Sequence, residues 1–302
     1  MTFQNSILLT AILSTALTAC GGSSSSSSAP EALKTQSPLA ELGLNCVAVD
    51  KAVDVTDDGI LQLALVDSYF SGSDFATSSA EIVSYDSCSD HLYVVNSQAA
   101  SIDVLELSSN NSAPSKVGTI DLSLAATSAG IEIGAANSVS AKQGLVAVAI
   151  EAKVKQNPGL IALYRSDDLS LLGTYSAGAL PDMVTLSSDG QTILTANEGE
   201  PNGDYSVDPE GSITIVDISK GYAEKAEVKQ VSFTDFNLGQ ARHAELSMGV
   251  RTAGPDGTLV AQDLEPEYMA LNTDNTKAYV ALQENNAMAI IDIATARVDS
   301  IK

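Results

Sequence analysis

The sequence predicts an all-β chain folded as a β-propeller of four-stranded blades, and three observations predict it. A phrase of β-prone residues recurs four times along the chain. Turn residues separate its strands at intervals of about eight to twelve residues, the spacing of all-β folds. Helical periodicity is absent beyond an apolar stretch near the N-terminus.

The first strand of each copy starts at a polar residue: Glu81-Ile82-Val83, Asn137-Ser138-Val139, Asp182-Met183-Val184 and Glu267-Tyr268-Met269. A polar turn follows, as in Ser187-Ser188-Asp189-Gly190 and Asn272-Thr273-Asp274-Asn275. The second strands are residues 92–95, 145–150, 192–196 and 278–282, and the third are 101–107, 159–164, 212–218 and 287–293. Val83, Val139, Val184 and Met269 stand 56, 45 and 85 residues apart. A propeller blade takes about 40–45 residues, so the second spacing fits directly and the others need insertions. Residues 197–211 and 237–265 supply two of them. A β-sandwich would not repeat this phrase four times. With a strand-rich lead-in over residues 47–69, about five blades are the most this length supports. An open propeller leaves exposed strand edges, so the propeller is expected to be incomplete in this 302-residue chain.

The chain carries 15 Lys and Arg against 38 Asp and Glu, a formal net charge of −23. Phosphate backbones are bound by basic surfaces, so nucleic acid is excluded as a partner. The acidity reads either as a soluble, self-repelling surface or as attraction for cations.

Residues 7–19, ILLTAILSTALTA, are apolar and precede Cys20-Gly21-Gly22. Thirteen residues are too few for a spanning helix, which needs about 20, and suit the apolar core of a signal peptide. Leu17-Thr18-Ala19-Cys20 resembles a bacterial lipobox, although residues 1–6 hold no Lys or Arg. That resemblance implies cleavage before Cys20 and a lipid on its sulfur. The serine run 23–28 reads as a flexible tether. The expected organisation is a signal peptide over 1–19, a tether over 20–38 and a propeller over 39–302. Gly21 after the lipidated residue implies sorting to the outer membrane, periplasmic or surface-exposed, with the membrane as a partner through the anchor. Cys46 and Cys88 are left. In an oxidising compartment they read equally as a disulfide or as two buried thiols.

Several loop phrases match a known family in order. Ala149-Ile150-Glu151-Ala152, Pro181-Asp182-Met183-Val184, Ala196-Asn197-Glu198-Gly199-Glu200-Pro201 and Asp208-Pro209-Glu210-Gly211-Ser212 are joined by Leu264-Glu265-Pro266-Glu267-Tyr268 and Leu282-Gln283-Glu284-Asn285-Asn286. From about residue 63 onward the chain resembles the choice-of-anchor I proteins. These include mesenchyme-specific cell surface glycoproteins and the propeller part of atypical bacterial alkaline phosphatases. The resemblance implies a YVTN- or WD40-like propeller that continues beyond a point like Lys302. It implies no single activity, since members are variously labelled phosphatase, phytase-like, surface or biomineralisation proteins.

Strand direction narrows where chemistry sits. In a four-stranded antiparallel blade, the loop between strands two and three shares a face with the link to the next blade. Both acidic insertions fall in those two classes. Glu151, Glu198, Glu200, Asp204, Asp208, Glu210, Glu265 and Glu284 are therefore expected on one face, with Asp182, from the preceding strand, expected near the acids of the first insertion. Carboxylates there suit Ca²⁺, which takes about six to eight oxygen ligands; the alternative is a set of solvated loop acids. Arg242-His243, in the second insertion, is a candidate phosphate contact on that face, because guanidinium binds phosphate oxygens in bidentate fashion. No nucleophile elbow, Walker A loop or zincin motif is present. Two functions follow as expectations. The first is a cell-envelope lipoprotein whose acidic, Ca²⁺-loaded face binds an envelope or extracellular ligand. The second is a metal-dependent phosphoester hydrolase of the alkaline phosphatase or phytase kind.

Overall fold

Four successive stretches of the chain each fold back on themselves three times and make a four-stranded antiparallel sheet. The computed structural model describes residues 46, 65, 67–107 and 113–302, within the compact unit Gln36–Lys302. The first sheet is β1 (Val83–Asp86), β2 (His91–Asn96), β3 (Ser101–Glu106) and β4 (Ser115–Asp121). The second is β5 (Ile133–Lys142), β6 (Leu145–Ala152), β7 (Pro158–Arg165) and β8 (Leu171–Ala179). The third is β9 (Pro181–Leu186), β10 (Thr192–Asn197), β11 (Ser212–Asp217) and β12 (Glu227–Ser232). The fourth is β13 (Pro266–Leu271), β14 (Lys277–Leu282), β15 (Ala287–Asp292) and β16 (Arg297–Ile301).

In every sheet the strands lie in sequence order. The first strands of neighbouring sheets touch: β1 meets β5, β5 meets β9 and β9 meets β13. These sheets are the blades of a β-propeller, with β1, β5, β9 and β13 innermost. Face-to-face packing between blades makes the core. Tyr93, Ile102 and Val104 of the first meet Val146, Val148 and Ala162 of the second. Ala147, Ile161 and Leu163 of the second meet Val184, Ile193 and Val216 of the third. Leu194, Ile213 and Ile215 of the third meet Val280, Ala289 and Ile291 of the fourth.

Hydrogen bonds between the turns keep the blades in step. The buried Asp86 carboxylate accepts from Ser89 N–H at 3.2 Å and from Gly144 N–H at 3.3 Å, joining the first two blades. Lys142 Nζ donates to the Leu186 carbonyl at 3.1 Å, joining the second to the third. Ser188 Oγ and Asn275 Nδ2, 2.8 Å apart, join the third to the fourth.

One expectation needs correcting. Residues Ser123–Ala129, SLAATSA, form a short α-helix, α1, between β4 and β5, where no helix was expected. Leu122 and Ala125 are buried, and Gly130, at φ 69°, closes the helix by donating to the Ala126 and Thr127 carbonyls. Two turns of small residues are too short to display a 3.6-residue period. The strand-rich lead-in lies mostly outside the described residues, and 67–70 carry no strand. Cys46 and Cys88 are joined as a disulfide, 42 residues apart in sequence with Cα atoms 4.9 Å apart. It ties residue 46 to the β1–β2 turn. Cys20, the signal peptide and the tether lie outside the described residues.

Candidate functional site

The innermost strands carry a recurring irregularity. In β5, Ala136 pairs with Ile150 and Ser138 with Ala149, leaving Asn137 as an extra residue. In β9, Pro181 pairs with Asn197 and Met183 with Ala196, leaving Asp182. In β13, Glu267 and Tyr268 together oppose Ala281. A β-bulge re-aims the side chain at the extra position. Asn137, Asp182 and Glu267 begin three of the four repeat phrases, so these bulges fall at equivalent places around the axis.

The two insertions meet beside this ring. Gly199, at φ +76°, lies so close to the Glu210 backbone that a Cβ there would stand 2.7 Å from it. A Cβ on Gly211 would overlap the Leu264 carbonyl, and Gly211 N–H donates to the Ala261 carbonyl at 2.9 Å. Ala261 belongs to a second short helix, α2 (Val260–Asp263). Gln262 Nε2 donates to the Asp208 carbonyl at 2.6 Å. Asn285, buried in the β14–β15 turn, donates to the Arg251 carbonyl at 2.9 Å and accepts from Glu265 N–H at 3.1 Å. These bonds hold a cleft of about 160 Å³ between the insertions, whose lining includes Asp208, Asp263, Glu265 and Glu284.

The acids share one electrostatic field. Burial raises the Glu198 pKa to about 8, with further contributions from Asp182, Glu200, Glu265 and Glu267. Burial likewise lifts Glu265 to about 7, helped by Glu284, Glu200, Asp263 and Asp208. Glu267 is raised by burial and by Glu284, with which it also shares a hydrogen bond. Asp182 is raised by burial and by Glu151, Glu81 and Glu200, against the opposing field of Lys155. Asp208 is raised by burial and Asp263, and its buried Oδ1 has no hydrogen-bond partner among the described residues. Carboxyls pushed upward together are the signature of like charges held close in a poorly solvated place.

The structure brings Glu198, Glu200, Asp208, Glu265 and Glu284 into this field. Glu151 adjoins it but is already engaged, accepting from Ala135 N–H at 3.1 Å and standing 3.6 Å from Lys155 Nζ. Asp204 is exposed at the tip of the first insertion. It accepts from Ser206 N–H at 3.1 Å and Ser206 Oγ at 2.6 Å, and these bonds hold its pKa down. Glu210 is half-buried, its backbone packed on Gly199.

Arg242 and His243 are not on the acidic face. Arg242 sits at the outer edge of the third and fourth sheets, stacked 4.5 Å above the Phe236 ring. It pairs with Glu245 at 2.7 Å and donates to the Val298 and Asp299 carbonyls at 2.5 and 2.9 Å. His243 Nδ1 is 2.8 Å from the Phe236 carbonyl. Arg242 is spent on fixing the second insertion to β16, and His243 on the turn that begins at Phe236.

Asp182, Asp263 and Glu267 belong to the field; Asp182 was expected near the first insertion's acids, whereas Asp263 and Glu267 are missing from the expected set. The available signal was the polar first residue of each repeat phrase, which registers with the bulge. A larger cleft, about 640 Å³, lies over the second sheet between Ile131, Lys153 and Thr174 and contains none of the expected site residues.

The choice-of-anchor I domain model matches residues 81–302. No curated protein matches the chain. Among solved structures it is similar to the hydrazine synthase of Kuenenia stuttgartiensis, at 11% identity and a TM-score of 0.48, over 78% of this chain and 52% of that one. It is similar also to the β-propeller domain of Myceliophteria thermophila Cps50 (Swd1), at 9% identity and a TM-score of 0.47, over 74% and 55% of the two chains. A functionally unknown protein from Desulfotomaculum acetoxidans shares 12% identity at a TM-score of 0.43, over 70% and 53%. The chain spans about half the length of these structures.

Proposed function

The chain belongs to the choice-of-anchor I family, and from that membership we propose that it is a cell-envelope lipoprotein whose propeller binds a cationic ligand on its acidic face. Ca²⁺ is the ion the donor set suits. The observation that carries this reading is the shared field of Asp182, Glu198, Glu265 and Glu267, in which every carboxyl is raised. Ionisation of such a group is opposed by burial and by its neighbours' charge, and a hard divalent cation bound by these oxygens offsets that cost. Among the described residues, no three acidic, His or Cys side chains stand ready as a ligand set. Binding therefore requires the ion to draw the two insertions together, which makes it an organiser of this face. The hydrolase reading lacks support here, because Arg242 and His243 offer no anion contact beside the acids.

Anchoring through Cys20 rests on the lipobox resemblance and the serine tether, and implies the outer membrane as the site of action. Among the described residues, no helix is long and apolar enough to cross a membrane. A palmitate analogue should label the chain, and Cys20→Ser should abolish the label; label retained in the variant would refute the anchor.

Thermal melting with Ca²⁺ or Mg²⁺ at equal ionic strength tests the cation site. A ligand at a hundredfold excess over Kd stabilises the state it binds by about 2.7 kcal/mol. Ca²⁺ is expected to raise the Tm by several degrees, and Glu265→Gln with Glu284→Gln to remove most of that rise. Equal responses to both ions would mean screening alone.

A further inference from the structure

The short helix α1 lies along β8, on the side of the second sheet that turns toward the first. Its seven residues reach about 10 Å, whereas the nine residues of β8 reach about 30 Å. The helix therefore cannot cover the strand, and it stops at Gly130. The part left uncovered is the cleft of about 640 Å³, inside the range of about 300–1,000 Å³ that small-molecule sites occupy. All of its lining lies between residues 129 and 176. The second sheet, the end of α1 and the β6–β7 loop build it unaided.

The lining divides by chemistry. Ile131, Pro158 and Leu160 give it apolar surface, with Leu160 buried at the bottom. One wall is polar. Thr174 pairs with Ala162 and Ser176 with Leu160 across the ladder, so both hydroxyls stand on one face, about 7 Å apart. Thr174 Oγ1 and the Asn157 side-chain amide have no hydrogen-bond partner among the described residues. Ser176 Oγ makes only a 3.4 Å contact with the Ala177 carbonyl. Lys153 and Glu132 are the charged residues of the lining. They stand 3.4 Å apart at the rim, 65 and 81% exposed, and their charges cancel. The chain as a whole carries −23, yet this cleft is neutral. An anion would enter against the net charge, and a cation is drawn instead to the acidic face.

We propose that this cleft is a binding site for an uncharged amphiphile, an apolar body with hydroxyl groups along one edge, of which an alkyl glycoside is the simplest kind. The apolar body lies against Ile131, Pro158 and Leu160, where it leaves water. The hydroxyl edge meets Thr174, Ser176 and Asn157, each able to donate and to accept. Two protein hydroxyls at their spacing span one hexose ring with its substituents. The site is separate from the acidic cleft and needs no cation.

Calorimetric titration of the full chain with octyl β-D-glucoside, below its micelle concentration and in a chelator, tests this. Saturable binding of one molecule per chain is expected. Octanoate and octylammonium, matched in chain length, should bind at least about tenfold more weakly, because each brings a charge that the cleft does not pair. Thr174→Val with Ser176→Ala keeps the shape of the wall and removes both hydroxyls, and should weaken glucoside binding about tenfold. Ser176→Trp fills the cleft and should abolish binding with unchanged β-sheet circular dichroism; should that variant not fold, the isosteric pair decides. Absence of saturable binding overturns the proposal. So does equal affinity for the charged analogues, or an affinity that neither the isosteric pair nor a folded Ser176→Trp alters.

Discussion

The second and fourth sheets are built from the same four-strand phrase, yet they live in different surroundings. All eight residues of β6, LVAVAIEA, are buried, and six of the eight in β7 are too. In β14, KAYVAL, burial alternates with exposure. A strand with a sheet packed on each face reads as a continuous apolar run, and a strand covered on one face alternates. The difference teaches that a blade's burial is set by what packs on its two faces, over and above its own ladder, whose strands run 8 to 10 residues in the second sheet and 5 or 6 in the fourth.

A buried charge should widen that difference most. Val148→Asp in β6 leaves a carboxylate between two sheets with no counter-charge, and the chain is expected not to fold. Tyr268→Asp, on the outward face of the fourth sheet, should keep its circular dichroism and cooperative melting. Loss of folding in both, or in neither, would erase the distinction between the second and fourth sheets.

The first sheet is tied by the Cys46–Cys88 bond. Closing a loop of 42 residues stabilises by about 4 kcal/mol on the chain-entropy account. Cys88→Ala should cost up to that amount by denaturant melting. Amide exchange should quicken in β1 and β2 while β6 and β7 stay protected. Uniform loss of protection would show that the blades do not differ in local stability.

The smallest effect is expected at the junction of the third and fourth sheets. Glu198 and Glu265 hold their protons in the folded chain up to about pH 8 and 7, against an ordinary value of 4.5. Folding is favoured in full below the ordinary value, and that advantage is lost as pH rises through 7 and 8. The Tm should fall by a few degrees between about pH 5 and 9 in a chelator. Glu198→Gln should flatten the profile, and Ca²⁺ should restore stability at the alkaline end. A profile unaltered by Glu198→Gln would remove this residue from the field.

Strand positions were legible because alternation and turn residues are local properties. Ser187 to Gly190 and Asn272 to Asn275 announce their turns without reference to the rest of the chain. The helix α1 was hidden because seven residues cannot display a period. Glu198, Glu265 and Glu284 could be assigned to one face from strand direction alone. Asp204 could not be separated from them, because its turn with Ser206 depends on loop geometry. Glu267 was hidden inside a strand phrase, where only the bulge tells that it is re-aimed.

The sequence by itself determined the repeat, the order of the strands, the placement of the insertions and the acidity of their face. Each of these follows from residue types read at short range. Only the tertiary structure decided which carboxyls share a field, that Arg242 is consumed at the outer edge, and which strands are buried on both faces. Those outcomes depend on contacts between residues dozens of positions apart, such as Gly211 with Ala261 and Asn285 with Arg251. Desolvation and Coulomb interaction act on distance in space, which no short stretch of sequence encodes.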